Sequence, residues 1–295
     1  MCPDSPETFP KEKQPESLFS ILIPSWNNLA YLRNCITGIR KNSSYEHEII
    51  VHVNDGADGT LNWIKSAKIE HSFSKDNIGI CRGINAAAKL ATGTYFVYMN
   101  DDMYVCPSWD FYLKEEIESH LDNHFFLSST MIEPRESGNP CVIAPCDFGT
   151  SVEEFQETKL LREFQNFQKK DWSGASWPPN LVHRNLWNEI GGFSEEFSPG
   201  YYSDPDFAMK LWKAGVRYFK GVGRSKVYHF QSKSLGRMKK NAGRKQFYKK
   251  WKISPAYFYK NYLKMGTGFN GKLEEPPRDF RLFLEKLKSC AHNFF

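Results

Sequence analysis

The triplet Asn100-Asp101-Asp102 closes an apolar run, Tyr95-Phe96-Val97-Tyr98-Met99. A carboxylate at the end of such a strand can hold a hard divalent cation through oxygen. The cation can in turn neutralise a departing diphosphate. Neighbouring strand residues point to opposite faces, so one of the two aspartates is expected to aim at a shared ligand unless the turn begins between them. The competing reading is a plain turn, which Asn and Asp stabilise through bonds to their own backbone. Asp55 stands before Gly56 after a second strand-like run. There it can accept from a base imide or a ribose hydroxyl, or simply make an Asp-Gly turn. Asp204-Pro205-Asp206 offers a general base for an acceptor hydroxyl. The same three residues also suit a helix start, with Asp204 as N-cap, Pro205 in the first position and Asp206 in the first turn. His229 follows Val227-Tyr228. Its neutral imidazole can ligate Mn²⁺ or Zn²⁺, although a lone histidine is more often structural.

These residues need elements to position them. Phe19–Ile23 reads as a short buried strand stopped by Pro24. Leu29, Leu32, Ile36 and Ile39 recur at helical spacing, which predicts a helix to about Lys41 capped by Asn27 or Asn28. Glu48–Val53 is a second strand, and the resulting βαβ unit implies a parallel sheet. The pattern repeats with a strand over 68–73, a helix over 80–91 ended by Gly93, and the strand 95–99. In open α/β sheets ligands bind outside the carboxyl ends of strands. Three polar strand ends, Pro24–Asn27, Asn54–Gly56 and Asn100–Asp102, are therefore expected on one rim. Helices are expected over 108–121 and 151–168, a loop over 134–149, and short strands over 216–219 and 226–230. Two basic-aromatic helices are expected near 241–252 and 255–264.

The chain has 295 residues, 40% of them hydrophobic and 25% charged, as in an ordinary globule. Aromatic residues gather after residue 170, which suits either a cleft that stacks on sugar rings or a large aromatic core. The net charge of +5 is concentrated at Lys239, Lys240, Arg244, Lys245, Lys249, Lys250 and Lys252. Such a run is either a solvated helix face or a surface for phosphates or an anionic membrane. The segment 280–295 alternates Phe and Leu with Arg and Lys. It is expected to lie on a membrane surface or to pack back on the domain. Seven cysteines without metal spacing, and no secretory apolar region, lead us to expect reduced thiols in a cytoplasmic protein, peripheral at most on the inner face of a membrane. No GxGxxG follows the first strand, no GxxxxGK[ST] is present and no Gly-x-Ser-x-Gly elbow occurs. These absences argue against a dinucleotide-dependent dehydrogenase, a Walker-type phosphate loop and an α/β-hydrolase.

The order of motifs resembles the family 2 glycosyltransferases, which have the GT-A fold. The matching pieces are FSILIPSWNN (19–28), EIIVHVNDGADGT (48–60), DNIGICRGIN (76–85), YFVYMNDD (95–102), GGF (191–193) and SDPDF (203–207). The resemblance implies a single GT-A-type α/β domain, with a Rossmann-like, mostly parallel sheet flanked by helices. It would span 18–235, with a nucleotide-binding half at 18–105 and an acceptor half at 106–235. A flexible lead at 1–17 and a basic helical extension at 236–295 would flank it. By the same resemblance Pro24, Ser25 and Asn27 line the nucleotide pocket, Asp55 holds the base, and Asn77, Gly79 and Arg82 border the donor. Asn100-Asp101-Asp102 stands at the DxD position, with Asp102 the ligand of Mn²⁺ or Mg²⁺, Asp101 a donor contact and His229 a further metal ligand. Asp204 falls at the catalytic base of an inverting transfer from a UDP-, GDP- or dTDP-sugar to a glycan or lipid-linked acceptor. Nucleic acid is not an expected partner. Trp172, Trp177, Tyr201 and Asp206 are candidates for the acceptor side. The chain departs from the pattern at Asn100, a weaker metal ligand, and at Ser203, which leaves Asp204 without an acidic neighbour. The Asp204 pKa is therefore expected to be lower than in members with that neighbour. A non-catalytic nucleotide- or glycan-binding module and a sugar nucleotidyltransferase are the alternatives.

Overall fold

The computed structural model describes residues 6–9, 18–231, 242–277, 280, 282, 283 and 285. In chain order its strands are β1 (Glu7–Phe9), β2 (Phe19–Trp26), β3 (Glu48–Asn54), β4 (Glu70–Ser74), β5 (Tyr95–Tyr98), β6 (Met103–Val105), β7 (Phe125–Ile132), β8 (Trp172–Ser173), β9 (Asn180–His183) and β10 (Tyr218–His229). The helices are α1 (Leu29–Asn42), α2 (Thr60–Ser66), α3 (Gly79–Ala88), α4 (Trp109–Glu118), α5 (Glu157–Glu163), α6 (Arg184–Ile190), α7 (Ser203–Lys213) and α8 (Gly243–Trp251). The chain then passes through a helical turn at Pro255–Tyr257 into a π-helical turn at Phe258–Tyr262.

All strands join one sheet in the order β1-β4-β3-β2-β5-β9-β7-β10-β6, with β8 added beside β10. Strands β4, β3, β2 and β5 are mutually parallel, as the βαβ reading requires. Strand β9 then runs antiparallel to both β5 and β7, and β10 is parallel to β7.

Alternation along the strands divides the core between two faces. Phe19, Ile21 and Ile23 of β2 pack with Leu32, Ile36 and Ile39 of α1 and with Trp109 of α4. Leu22 and Ile50 pack on the opposite face with Ile84 of α3, Trp187 of α6 and Phe207 of α7. Many of the late aromatic residues are spent here: Trp187, Phe193, Phe197, Trp212, Phe219, Phe247 and Phe258 are all buried in this second cluster.

Several expected boundaries move. Strand β2 continues through Pro24 to Trp26, paired with β3 throughout. Its pairing with β5 ends at Leu22, so the proline lacks an N–H only where the ladder has already stopped. Asn28 takes the N-cap position of α1 but makes no side-chain capping bond; the Asn27 and Asn28 side chains are used elsewhere. Helix α3 ends at Ala88, and Gly93 instead donates its N–H to Ser20 Oγ at 2.8 Å. The two short strands expected over 216–230 are one strand, β10, with a register shift between Val222 and Lys226. The helix expected over 151–168 shrinks to α5 and a 3₁₀ turn at Phe164–Asn166. Within the stretch expected as a flexible lead, Glu7–Phe9 pairs antiparallel with β4 as an edge strand; the rest of 1–17, apart from Pro6, lies outside the described residues. Lys239 and Lys240 also lie outside them, as does most of 280–295. Leu282 is buried in the α7-side core, while Phe280 and Phe283 are exposed and stacked on each other.

Candidate active site

A cleft of about 370 Å³ opens at the carboxyl ends of the central strands, lined by Pro24, Ser25, Trp26, Asn54, Asn77, Gly79, Ile80, Asn100, Asp101, Asp102, Glu133, His229 and Gln231. The three polar strand ends do meet there, and hydrogen bonds stitch them together. Ser25 Oγ donates to Asp101 Oδ2 at 2.7 Å, and Asn28 Nδ2 donates to Asp101 Oδ1 at 3.0 Å. Asn27 Nδ2 donates to Asp55 Oδ2 at 2.7 Å. Both Asp101 oxygens are thus held by the first strand end, and Asp55 lies beside the cleft rather than in its lining. Asn54 Oδ1 accepts from the Ile78 N–H at 2.9 Å, and Asn77 Oδ1 accepts from the Gly79 N–H at 2.9 Å. These two bonds set the entry of α3. Gly79 sits at φ +81°, and a Cβ there would come within 2.6 Å of Pro199 Cα. Only glycine allows that approach without strain. Arg82, one turn on, lies outside the lining and pairs with Glu195, Nε to Oε2 3.2 Å.

The two aspartates of the triplet face different partners. Asp102 is 5% exposed, and its Oδ1 is 3.5 Å from His229 Nε2. Pairing of β6 with β10 sets His229 against Met103 and brings the imidazole beside Asp102. The second ring nitrogen, Nδ1, is 2.8 Å from Glu133 Oε1, and Gln231 Nε2 donates to Glu133 Oε2 at 2.8 Å. Burial disfavours the imidazolium, but Asp102 and Glu133 outweigh it and hold the His229 pKa at about 10. Asn100 Oδ1 accepts from Tyr98 Oη at 2.8 Å, so that oxygen is already engaged. No group of three or more His, Cys, Asp or Glu side chains able to hold a metal ion occurs among the described residues. Asp102 and His229 would nevertheless give a two-donor set of oxygen and imidazole once an entering cation displaces the His229 proton, with a carboxylate behind the ring as metal-bound histidines commonly have. Such a set suits Mn²⁺ or Mg²⁺ when substrate phosphates complete the coordination.

Glu133 and Gln231 were missed by the sequence reading. The signal for Glu133 was present: Phe125–Ile132 is a fully buried strand that ends in a carboxylate, the same pattern that singles out Asp102.

Asp204 follows a segment that packs on Gly79 through Pro199. Ile80 N–H donates to Pro199 O at 2.8 Å, and the chain turns from there into α7. Tyr202, at φ +66°, is the N-cap of α7, so Asp204 lies within the first turn and is not the cap. Ser203 Oγ donates to Gly200 O at 2.7 Å. Asp204 Oδ1 is buried without a hydrogen-bond partner, and burial raises its pKa to about 7. The helix dipole favours the carboxylate here, but desolvation wins. Cys81, also beside this corner, has its thiol pushed up to about 12, by burial first and then by the Asp204 charge.

The acceptor-side candidates separate. Trp172 is 4% exposed, and its Nε1 donates to Thr130 Oγ1 at 2.9 Å. Its ring lies so close over Gly221 that a Cβ there would come within 1.8 Å. It packs β8 on β10 and is not part of the lining of the cleft described above. Asp206 is 1% exposed and bound to Trp251 and Lys250, so it is not open to an acceptor. Trp177 is half-buried and donates from Nε1 to Tyr259 Oη at 3.1 Å. Tyr201 is half-buried on the approach to α7. Tyr259, unforeseen from sequence, is held on the π turn, and the Asp204 charge adds to burial in raising its pKa.

Cys35, Cys81, Cys106, Cys141 and Cys146 are free thiols. No helix among the described residues is long and apolar enough to cross a membrane.

A mostly parallel α/β sheet thus brings its polar strand ends to one cleft, with a carboxylate of raised pKa nearby. The model of the family described as Glycosyl transferase family 2 matches residues 20–185, more than half of the chain, and the chain belongs to that family. Its relatives include an uncharacterized glycosyltransferase of Rickettsia typhi, 25% identical over 221 residues, covering 71% of this chain and 63% of that protein. An uncharacterized glycosyltransferase of Bacillus subtilis is 27% identical over 110 residues, covering 36% of this chain and 26% of that protein. The chain thus spans less than two thirds of either relative. Among solved structures, S. aureus TarS 1-349 in complex with UDP-GlcNAc superposes with a TM-score of 0.57 at 14% identity, covering 94% of this chain and 72% of that one. GalNAc-T7 with UDP, GalNAc and Mn²⁺ superposes with a TM-score of 0.52 at 13% identity, covering 74% and 44%. These likenesses establish the GT-A fold.

Proposed function

We propose that the chain transfers a sugar from a nucleoside-diphosphate sugar to an acceptor hydroxyl with inversion, and that Asp204 is the general base. The observation that carries this reading is the half-buried Asp204, whose Oδ1 is buried without a hydrogen-bond partner and whose pKa is raised to about 7, near a cleft built from three polar strand ends. A base poised near neutral pH can take a proton from a hydroxyl and still be ionised in a useful fraction. UDP in TarS and in GalNAc-T7 supports a nucleotide-sugar donor for this cleft.

On this reading Ser25 and Asn28 hold Asp101 so that the donor meets a fixed rim. Asp55, steadied by Asn27, borders the base, and Asn77, Gly79 and Arg82 border the sugar diphosphate. Asp102 and His229 would hold Mn²⁺ or Mg²⁺, which when bound supplies charge to stabilise the diphosphate leaving group. Glu133 orients His229 through Nδ1. Trp177, Tyr201 and Tyr259 offer aromatic surface to the acceptor near Asp204, which receives the hydroxyl proton as the acceptor oxygen attacks the anomeric carbon from the face opposite the diphosphate. A glycan or lipid-linked acceptor fits that aromatic surface. Exposed Phe280 and Phe283, with Arg278 and Arg281 nearby in sequence, favour peripheral contact with an anionic membrane, to be checked by flotation with phosphatidylglycerol vesicles.

The test is a panel of UDP-, GDP- and dTDP-sugars with Mn²⁺ or Mg²⁺, read as released nucleoside diphosphate. Silence across the panel would sink the reading. Pyrophosphate release from a nucleoside triphosphate and a sugar 1-phosphate would replace it with a nucleotidyltransferase.

A further inference from the structure

Asp206 stands two residues after Asp204 in the first turn of α7 and is 1% exposed. A buried carboxylate needs partners; Oδ1 takes two from the end of α8, while Oδ2 is buried without a hydrogen-bond partner. Trp251 Nε1 donates to Asp206 Oδ1 at 2.8 Å. Lys250 Nζ lies 2.9 Å from the same oxygen. The Lys250 ammonium also reaches Ser194 Oγ at 2.8 Å and Glu196 Oε1 at 2.9 Å. It therefore ties the start of α7 to the loop that leads into it.

That loop is pinned from the other side by the donor-side helix. Glu195, next to Glu196, pairs with Arg82 of α3, and Pro199 O accepts from Ile80 N–H at 2.8 Å. The segment 194–203 thus lies between α3 and α8, and Asp204 follows directly after it. Helix α8 lies beyond the residues matched by the family model, which end at 185.

We propose that Lys250 and Trp251 are positioning residues for Asp204: by clamping Asp206 they fix the first turn of α7, and so the base, against the donor wall. This rests on Asp204 being the base. A charge-assisted bond and an indole N–H on one oxygen hold that turn in place and in orientation. Misplacing a catalytic group by about 1 Å can cost roughly 10²-fold in rate. Lys250 also keeps the buried Asp206 charge compensated. The titratable groups facing this corner are Cys81 of α3, Tyr98 of β5, Tyr259 of the π turn, Lys210 of α7, Glu196 of the loop and Lys250 of α8. Among them Lys250 is the cation bound to Asp206.

The experiment uses the full chain and the donor that wild type turns over in the nucleotide-sugar panel, comparing Trp251→Phe, Lys250→Met and the double variant Lys250→Met/Asp206→Asn. Trp251→Phe is expected to lower kcat roughly ten- to a hundredfold with donor KM unchanged. Lys250→Met leaves Asp206 uncompensated. It is expected to move the acid limb of the kcat/KM profile upward by about one pH unit, because a second negative charge disfavours ionised Asp204. The double variant removes that charge and is expected to return the limb to its wild-type position. A merely structural clamp would lower thermal stability without moving the limb. If Asp204→Asn abolishes transfer while Trp251→Phe keeps its kcat and Lys250→Met its pH limb, the clamp is overturned and the base stands. If Asp204→Asn retains transfer, the base assignment itself has failed. Should Lys250→Met not fold, Trp251→Phe with its kcat against KM split decides alone.

Discussion

Between Phe19 and Tyr98 the chain places its polar residues at the ends of parallel strands joined by local βαβ connections, whereas beyond Met103 the strands that finish the cleft run in both directions. In the first region Ser25, Asn28, Asp55 and Asp101 meet because β3 and β5 flank β2 in the parallel part of the sheet. In the second, His229 reaches Asp102 through a β6–β10 pairing of residues more than 120 positions apart, and Glu133 arrives from β7. The first region builds a rim that is already hydrogen-bonded within itself. The second supplies the groups left to meet a substrate: the His229–Asp102 pair and the unpartnered Asp204 oxygen. Local topology makes the platform, and long-range pairing makes the chemistry.

The largest expected effect tests the second region. Asp204→Asn should lower transfer by about 10²–10⁴-fold, the usual worth of a general base, with nucleotide affinity by calorimetry unchanged. The same variant should be more stable than wild type at pH 8 but not at pH 4. The sign follows from the raised pKa: the folded state binds the Asp204 proton more tightly than the unfolded one, so stability falls as pH rises from the ordinary carboxylate range through about 7. Thermal melts at the two pH values check it.

Next, Glu133→Gln should weaken Mn²⁺ activation by about 10–100-fold, as loss of a partner behind a ligating histidine does. A metal titration of transfer reads this; an unchanged midpoint would remove His229 from the metal. Wild-type kcat/KM should drop about tenfold per pH unit below about 7, and a flat profile from pH 5 to 8 would break the link between burial and base.

The smaller effects sharpen the contrast. Ser25→Ala should cost about 1–3 kcal/mol of stability, because Asp101 loses a buried donor, and should affect donor KM more than kcat. Trp172→Phe should cost stability on the order of 1 kcal/mol through the lost Thr130 bond and leave acceptor KM alone. A raised acceptor KM would return Trp172 to the acceptor wall.

Legibility followed the same divide. Alternating and helical periodicities are local, so β2, α1, β3, α3 and β5 could be read to within a few residues. Strand β7 was overlooked because it is buried on both faces and carries no alternation, and with it went Glu133. Strand β10 was split in two because Gly223, Arg224 and Ser225 interrupt its apolar run at the register shift. Asp206 reads as an acceptor residue in the sequence because its partners, Lys250 and Trp251, lie more than forty positions away.

The sequence by itself determined that polar residues would end three neighbouring strands, since apolar runs closed by Asn and Asp encode both the strand and its end. It also carried the order of motifs that marks the family. Only the tertiary structure decided what each carboxylate is for. Asp101 became a cross-link, Asp102 faced a histidine, Asp206 was tied to Lys250 and Trp251 through one oxygen, and Asp204 kept a buried oxygen without a hydrogen-bond partner. Sequence carries identity and local geometry, while a carboxylate's pKa and role depend on its desolvation and on partners brought from distant segments.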